Sequence, residues 1–279
     1  MKEDKNSTQT CSPIVSTGKQ YRRDDGGTNN KGKNMKKVIL ALIVIAVLTA
    51  CSSNKAIRKM TVDEKMNRGN ELFELKKYNK AIPYFTDVAF ERNSAHTSEA
   101  QMKLADSYFF QNKFLEARYE YEEVIRLFKE YSEINRAYFQ LGVCYFEESL
   151  SPHYTQTETN MSISSFETYL EKFPKDSKRN DAIEYINKCR YKLLEKKYLN
   201  GYTYFKISDY SAALMYFDEI IELGNINDAD KGSLYYAAKI YIKRKNTLKA
   251  EQMITKLTAK YPDTKEAEKI TKAFNKYKK

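Results

Sequence analysis

Residues 201–217, GYTYFKISDYSAALMYF, carry the fold in miniature. Gly201 and Tyr204 are three apart and Ala213 and Phe217 four apart, so each pair falls on one face of a helix. Asp209 sits between the two halves, where it can cap a helix or accept a left-handed backbone. A small residue on each helix allows close approach, and the large residue fills the groove beside it. The same arrangement recurs along the chain. Gly69, Leu72, Ala81 and Phe85 form one copy, and Ala105, Tyr108, Ala117 and Tyr121 the next. Gly142 and Tyr145 open a third that closes with Ser162, Phe166 and Pro174. Ala238, Tyr241, Ala250, Ile254 and Pro262 form the last. The opening small residues are spaced 36, 37, 59 and 37 apart. The sequence therefore predicts an all-α solenoid of about five helix–turn–helix repeats.

Composition agrees. Nine Gly and five Pro make about 5% of 279 residues, against an average near 12%. That scarcity excludes turn-rich β folds and low-complexity linkers. The motif resembles the tetratricopeptide repeat, with Tyr78, Phe114 and Tyr210 just ahead of second helices and Asn79, Asn112 and Asn246 in the turns beside Asp209. Two irregularities stand out. The third repeat carries a polar insertion around Ser151–Met161, broken by Pro152, and Asp176–Tyr198 reads as one continuous helix. Residues 266–279 read as a basic, solvated C-terminal tail.

The N-terminal region has a different character. Met35-Lys36-Lys37 is a short basic segment, and 38–48 (VILALIVIAVL) is an eleven-residue apolar run, too short to span a bilayer. Leu48-Thr49-Ala50-Cys51 follows and resembles the lipobox of bacterial lipoproteins. The resemblance implies a signal peptide over 35–50, diacylation of the Cys51 thiol and a tether over 51–60. Ser52 after the cysteine implies sorting to the outer membrane. Residues 1–34 are polar and patternless, and read as an upstream start taken in error for Met35. Within them 27–34 (GTNNKGKN) falls short of a phosphate-binding loop, because Asn34 stands where Ser or Thr would bind magnesium.

The net charge of +11 does not point to nucleic acid. The first 50 residues hold nine Lys/Arg against four Asp/Glu, and the other 229 hold 39 against 33 with signs interspersed. His96 and His153 lack ligand-spaced partners, so no metal or cofactor is expected. No nucleophile, metalloprotease or paired-carboxylate motif stands out, and the chain reads as a non-enzyme. Cys144 and Cys189, each in a helical stretch, have two readings: a pair in an oxidising compartment, or two buried thiols.

One stripe invites a binding role. Met66, Met102, Phe139, Tyr198 and Tyr235 lie seven residues before Phe73, Phe109, Phe146, Phe205 and Ile242, on one side of each first helix. Such a stripe can hold an apolar peptide or pack between neighbouring repeats; both readings stand on sequence alone.

Together these features resemble the BamD-type lipoproteins of the outer-membrane β-barrel assembly machinery, over about residues 51–265. The resemblance rests on the lipobox, the five repeats after a short tether, and the interrupted third repeat. It rests also on 166–177 (FETYLEKFPKDS), the helix through Ala182–Leu194, Tyr210-Ser211-Ala212-Ala213, and Tyr261-Pro262-Asp263-Thr264. It implies a periplasmic scaffold anchored to the membrane by lipid, with no nucleic-acid partner. Repeats one to three (61–175) would receive unfolded outer-membrane proteins on Met66, Phe73, Met102, Phe109, Phe110, Phe139 and Phe146. Residues 176–265 would dock the β-barrel insertase subunit and accessory lipoproteins through Tyr210, Tyr216 and Tyr235. Many relatives carry Arg where this chain has Tyr216, which puts an ion pair to the insertase in question. The alternative is an envelope repeat lipoprotein scaffolding cell division or peptidoglycan synthesis. Against it, the chain has no sustained coiled-coil heptad.

Overall fold

A computed structural model of the chain describes residues 57–91 and 94–278. The expected upstream segment, the signal peptide and Cys51 lie outside the described residues. Among the described residues there are eleven helices and no strand. We label them α1 (Val62–Glu74), α2 (Tyr78–Phe90), α3 (Thr97–Phe109), α4 (Phe114–Leu127), α5 (Ile134–Glu148), α6 (Thr157–Lys172), α7 (Arg179–Lys206), α8 (Tyr210–Glu222), α9 (Asp228–Lys243), α10 (Thr247–Lys260) and α11 (Lys265–Lys278). The first ten pair into five antiparallel repeats, each helix packing on the next in the chain.

The small-to-large pairing makes each repeat. The Phe85 ring lies against Gly69, Phe166 against Gly142 and Phe217 against Gly201. A Cβ on any of these glycines would sit 2.7–2.8 Å from the facing ring. Phe85, Tyr121, Phe166 and Phe217 are fully buried in successive clusters, so the core runs as a series rather than a single centre.

Four of the five first helices end alike. Lys76, Asn112, Ser208 and Lys245 adopt φ between 56° and 66°. The following amide bonds back to the carbonyl five residues earlier: Lys77 to Leu72, Lys113 to Tyr108, Asp209 to Tyr204 and Asn246 to Tyr241. This left-handed terminator satisfies carbonyls that the helix leaves unpaired. Asp209 and Asn246 then accept from Ala212 and Lys249 amides to cap the second helices. Asn79 plays no such part. It lies in the first turn of α2, and Lys76 takes the left-handed position.

The irregularities resolve as follows. The insertion is a loop over Ser149–Gln156 only, because Thr157–Met161 already belongs to α6. The long helix continues through the first helix of repeat four, making α7 28 residues. Residues 265–278 correct the expectation of a solvated tail. They form α11, which buries Ala267, Ile270 and Phe274 against the last repeat and closes its open end. Among the described residues no helix is long and apolar enough to cross a membrane.

Candidate functional site

The stripe divides by depth. Met66, Met102 and Phe139 are 3%, 0% and 4% exposed, closed into the repeat cores. These three side chains pack inside the repeats and offer almost no surface to a ligand. Phe73, Phe109 and Phe146 are half-buried, and Phe110 is exposed. Phe73 meets Tyr78 at 5.2 Å and Phe110 at 5.9 Å, while Phe110 stacks on Tyr78 at 5.3 Å. Phe109 joins this group through Phe110 and Phe114. Rings from repeats one and two thus form one continuous aromatic patch, with the Lys103 ammonium 4.5 Å from Phe73.

Phe146 stands elsewhere, at the interruption. The insertion after α5 folds onto α7 because Lys192 donates to the Ser149 hydroxyl at 2.5 Å and Lys196 to the His153 carbonyl at 3.2 Å. The Gln156 amide organises the loop from inside, donating to the carbonyls of Ser151, Tyr154 and Thr155 at 2.9–3.1 Å. Between loop and helix lies a cleft of about 490 Å³, walled by Phe146, Pro152 and Tyr191 and rimmed by Glu184, Lys188 and Lys192. Tyr191 and Glu195 also border a second cleft of about 450 Å³, which reaches Tyr198, Tyr235 and Tyr236. Two openings thus share one wall, the middle of α7. Tyr191 remains 46% exposed because the 59-residue spacing leaves no repeat to cover it. Sequence reading took Pro152 only as a break in the insertion and missed Tyr191. The signal available was a tyrosine in the stretched helix, off the stripe register.

The tyrosines expected to dock partners fall into two groups. Tyr210 and Tyr235 are the ends of a ladder that runs through Phe205 and Tyr236 at centroid distances of 4.7–5.9 Å. Tyr216 belongs to another stack, parallel to Tyr204 at 5.6 Å. Lys243 donates to the Tyr210 hydroxyl at 2.6 Å and lowers its pKa. Burial is the leading cause for the buried tyrosines. It raises Tyr236 far above the usual phenol range and Tyr198 to about 12. Cys144 and Cys189 are free and buried on separate helices, and burial pushes both thiols up, away from the reactive thiolate. Among the described residues no group of three or more His, Cys, Asp or Glu could hold a metal ion.

Buried carboxylates tie helices together, one across a junction between repeats and one inside a repeat. Asp106 accepts from Tyr121 at 2.7 Å and from Arg136 at 2.7 and 2.9 Å. Asp230 accepts from Tyr261 at 2.8 Å and Lys260 at 3.0 Å. The Arg136 contact crosses from repeat three to repeat two and helps fix the rotation of one on the other, while the Asp230 contacts hold repeat five together.

Comparison with known proteins completes the picture. The family described as outer membrane lipoprotein, YfiO, matches residues 58–223, and a tetratricopeptide-repeat family matches residues 233–264. The outer membrane protein assembly factor BamD of Rickettsia prowazekii is 26% identical over 235 residues, 83% of this chain and 94% of that protein. BamD of Caulobacter vibrioides is 20% identical over 212 residues, 74% of this chain and 70% of that protein. Among solved structures, the yeast Sti1 TPR2AB domain in complex with Hsp90 superposes with a TM-score of 0.42. It is 16% identical and covers 74% of this chain and 80% of that one.

Proposed function

The chain belongs to the YfiO family of outer membrane lipoproteins, and from that premise we propose that it is a scaffold of the β-barrel assembly machinery. In this reading Cys51 carries the lipid and the repeats face the periplasm. Unfolded outer-membrane proteins bind on the first-helix side. The observation that carries the reading is likeness to BamD along most of this chain and most of both relatives. An unfolded barrel strand presents apolar side chains at alternate positions. The aromatic patch of Phe73, Phe109 and Phe110 and the cleft beside Phe146 offer places for them. Tyr210, Tyr216 and Tyr235, with the second cleft, lie in the half assigned to the insertase subunit and accessory lipoproteins. Work here is binding and positioning, with no covalent step on the client.

Site-specific photo-crosslinking to the C-terminal peptide of a barrel protein tests the client half. Alanine at Phe109 and Phe146 should weaken the crosslink several-fold while helicity stays unchanged. An undiminished crosslink would remove the groove assignment. Affinity capture from detergent-solubilised membranes tests the partner half. Recovery of a barrel insertase supports it, and recovery of division proteins without the insertase would reverse it.

A further inference from the structure

The turns that close the first helices of repeats four and five stand side by side. Lys243 donates to Tyr210, and Arg244 to the Ser211 hydroxyl at 2.8 Å, which ties the α9–α10 turn to the start of α8. Five cations lie on these turns or at the helix ends that flank them: Lys206, Lys243, Arg244, Lys245 and Lys249. Two acids lie nearby: Asp209, whose carboxylate already accepts from the Ala212 amide as a helix cap, and Asp218, which feels the charge of Lys249. None of the five cations has a carboxylate within 4.0 Å among the described residues, whereas Lys188, Lys197, Lys231 and Lys272 do on other helix surfaces. Lys245 is also held in a left-handed conformation, at φ 58°, where Gly or Asn would be less strained. Two aliphatic side chains stand among the charges. Ile207 and Leu248 are each 68% exposed, and neither lines any of the clefts described above.

We propose that these paired turns form a membrane-docking corner, which binds the anionic phospholipid headgroups of a bilayer surface and inserts Ile207 and Leu248 into the interface. A soft planar surface fits the residues better than a peptide or small ligand does. Protruding aliphatics with no cavity between them have little to grip on a folded partner, but each gains by leaving water at the headgroup boundary. Long cationic stems keep their charges at the phosphates while their methylenes follow the aliphatics inward. Each cation near an anionic surface favours the docked form about fivefold. The corner goes beyond the assembly reading, because it concerns lipid, and it borders the partner-docking half at Tyr210.

The absence of tryptophan makes the test direct. A full chain carrying Leu248→Trp is mixed with vesicles of phosphatidylethanolamine and phosphatidylglycerol, or of phosphatidylcholine alone. Emission and its quenching by brominated acyl chains are then read. Leu223→Trp, on the turn after α8 and 57% exposed in the wild type, is the reference. We expect a blue shift and quenching for Leu248→Trp on the anionic vesicles only. K243A/R244A/K245A in that background should lower the docked-to-free ratio about a hundredfold. Flotation of the same samples reports the lipid anchor separately. Equal emission on both vesicle types, or quenching indifferent to the triple alanine change, would overturn the corner. So would a shift that appears only when an acidic partner protein is added, which would make the surface a protein dock.

Discussion

The junction between repeats one and two and the junction between repeats three and four use the same materials to opposite effect. At the first, regular spacing brings each ring against the next repeat, so Phe73 is met by Tyr78, Phe110 and the Lys103 ammonium. At the second, the long helix α7 carries the chain past the point where a repeat would have stacked. Its N-terminal part buries Ala182, Ile186 and Cys189, and its C-terminal part buries Leu194 and Gly201. The surface between, around Tyr191, has no helix to cover it, and clefts open on either side. The lesson is that apolar periodicity marks surface that wants a partner. Whether the next repeat or another molecule supplies it depends on spacing.

The largest expected effect sets a closed ring against an open one. Phe166 is fully buried against Gly142 and Tyr185. Phe166→Ala should destabilise the chain by about 3–5 kcal/mol, the range for large core truncations. Tyr191→Ala should stay within about 0.5 kcal/mol, as exposed substitutions do. Denaturant midpoints for the two variants check this. Similar losses for both would mean that the cleft wall is part of the core.

A second test uses alkali. Burial raises Tyr131, Tyr198 and Tyr261 to about 12. Unfolded, each would ionise near 10. Their share of the stability is therefore complete below about pH 10 and is lost as the pH climbs through about 12. Helicity followed by circular dichroism should begin to fall in that window. Tyr198→Phe, which removes the ionising group from the interrupted region, should move the onset upward. An onset well below pH 10 would assign alkaline unfolding to other groups.

The smallest effect concerns the turns that repeats one, two, four and five share and repeat three lacks. Lys76 and Lys245 occupy left-handed positions without glycine. Lys76→Gly and Lys245→Gly should each raise stability by about 0.5–1 kcal/mol, less what glycine adds to the freedom of the unfolded chain. Asn112→Gly should gain less, because Asn tolerates that conformation. Thermal midpoints decide the ranking, and a loss at Lys76 would show that its side chain makes a contact worth more than the strain.

Much of the fold was legible because helical repeats write their contacts locally. Gly69 and Phe85 are sixteen residues apart in one repeat, and the structure places them in contact as the spacing implied. Pro174 and Pro262 fall just beyond second helices, where a missing amide costs nothing. The C-terminal helix was misread because charge dominates its composition. Its buried face needs only Ala267, Ile270 and Phe274, spaced three and four apart. Less of the site was legible. The stripe residues share one register, yet Met66, Met102 and Phe139 are buried while Phe73, Phe109 and Phe146 are half-open. Depth depends on the neighbouring repeat, which periodicity within one helix does not report.

The sequence by itself determined the repeat count, the small-to-large pairing, the turn chemistry at Asp209 and Asn246, and the two places where the register breaks. All follow from contacts within about forty residues, where the helical period fixes which side chains meet. Only the tertiary structure decided which apolar side chains stay open, how the Ser149–Gln156 loop folds onto α7, and that the cations of two tied turns form no ion pair among the described residues. Those depend on how one repeat is seated on the next, a rotation set by packing and buried pairs such as Asp106 with Arg136.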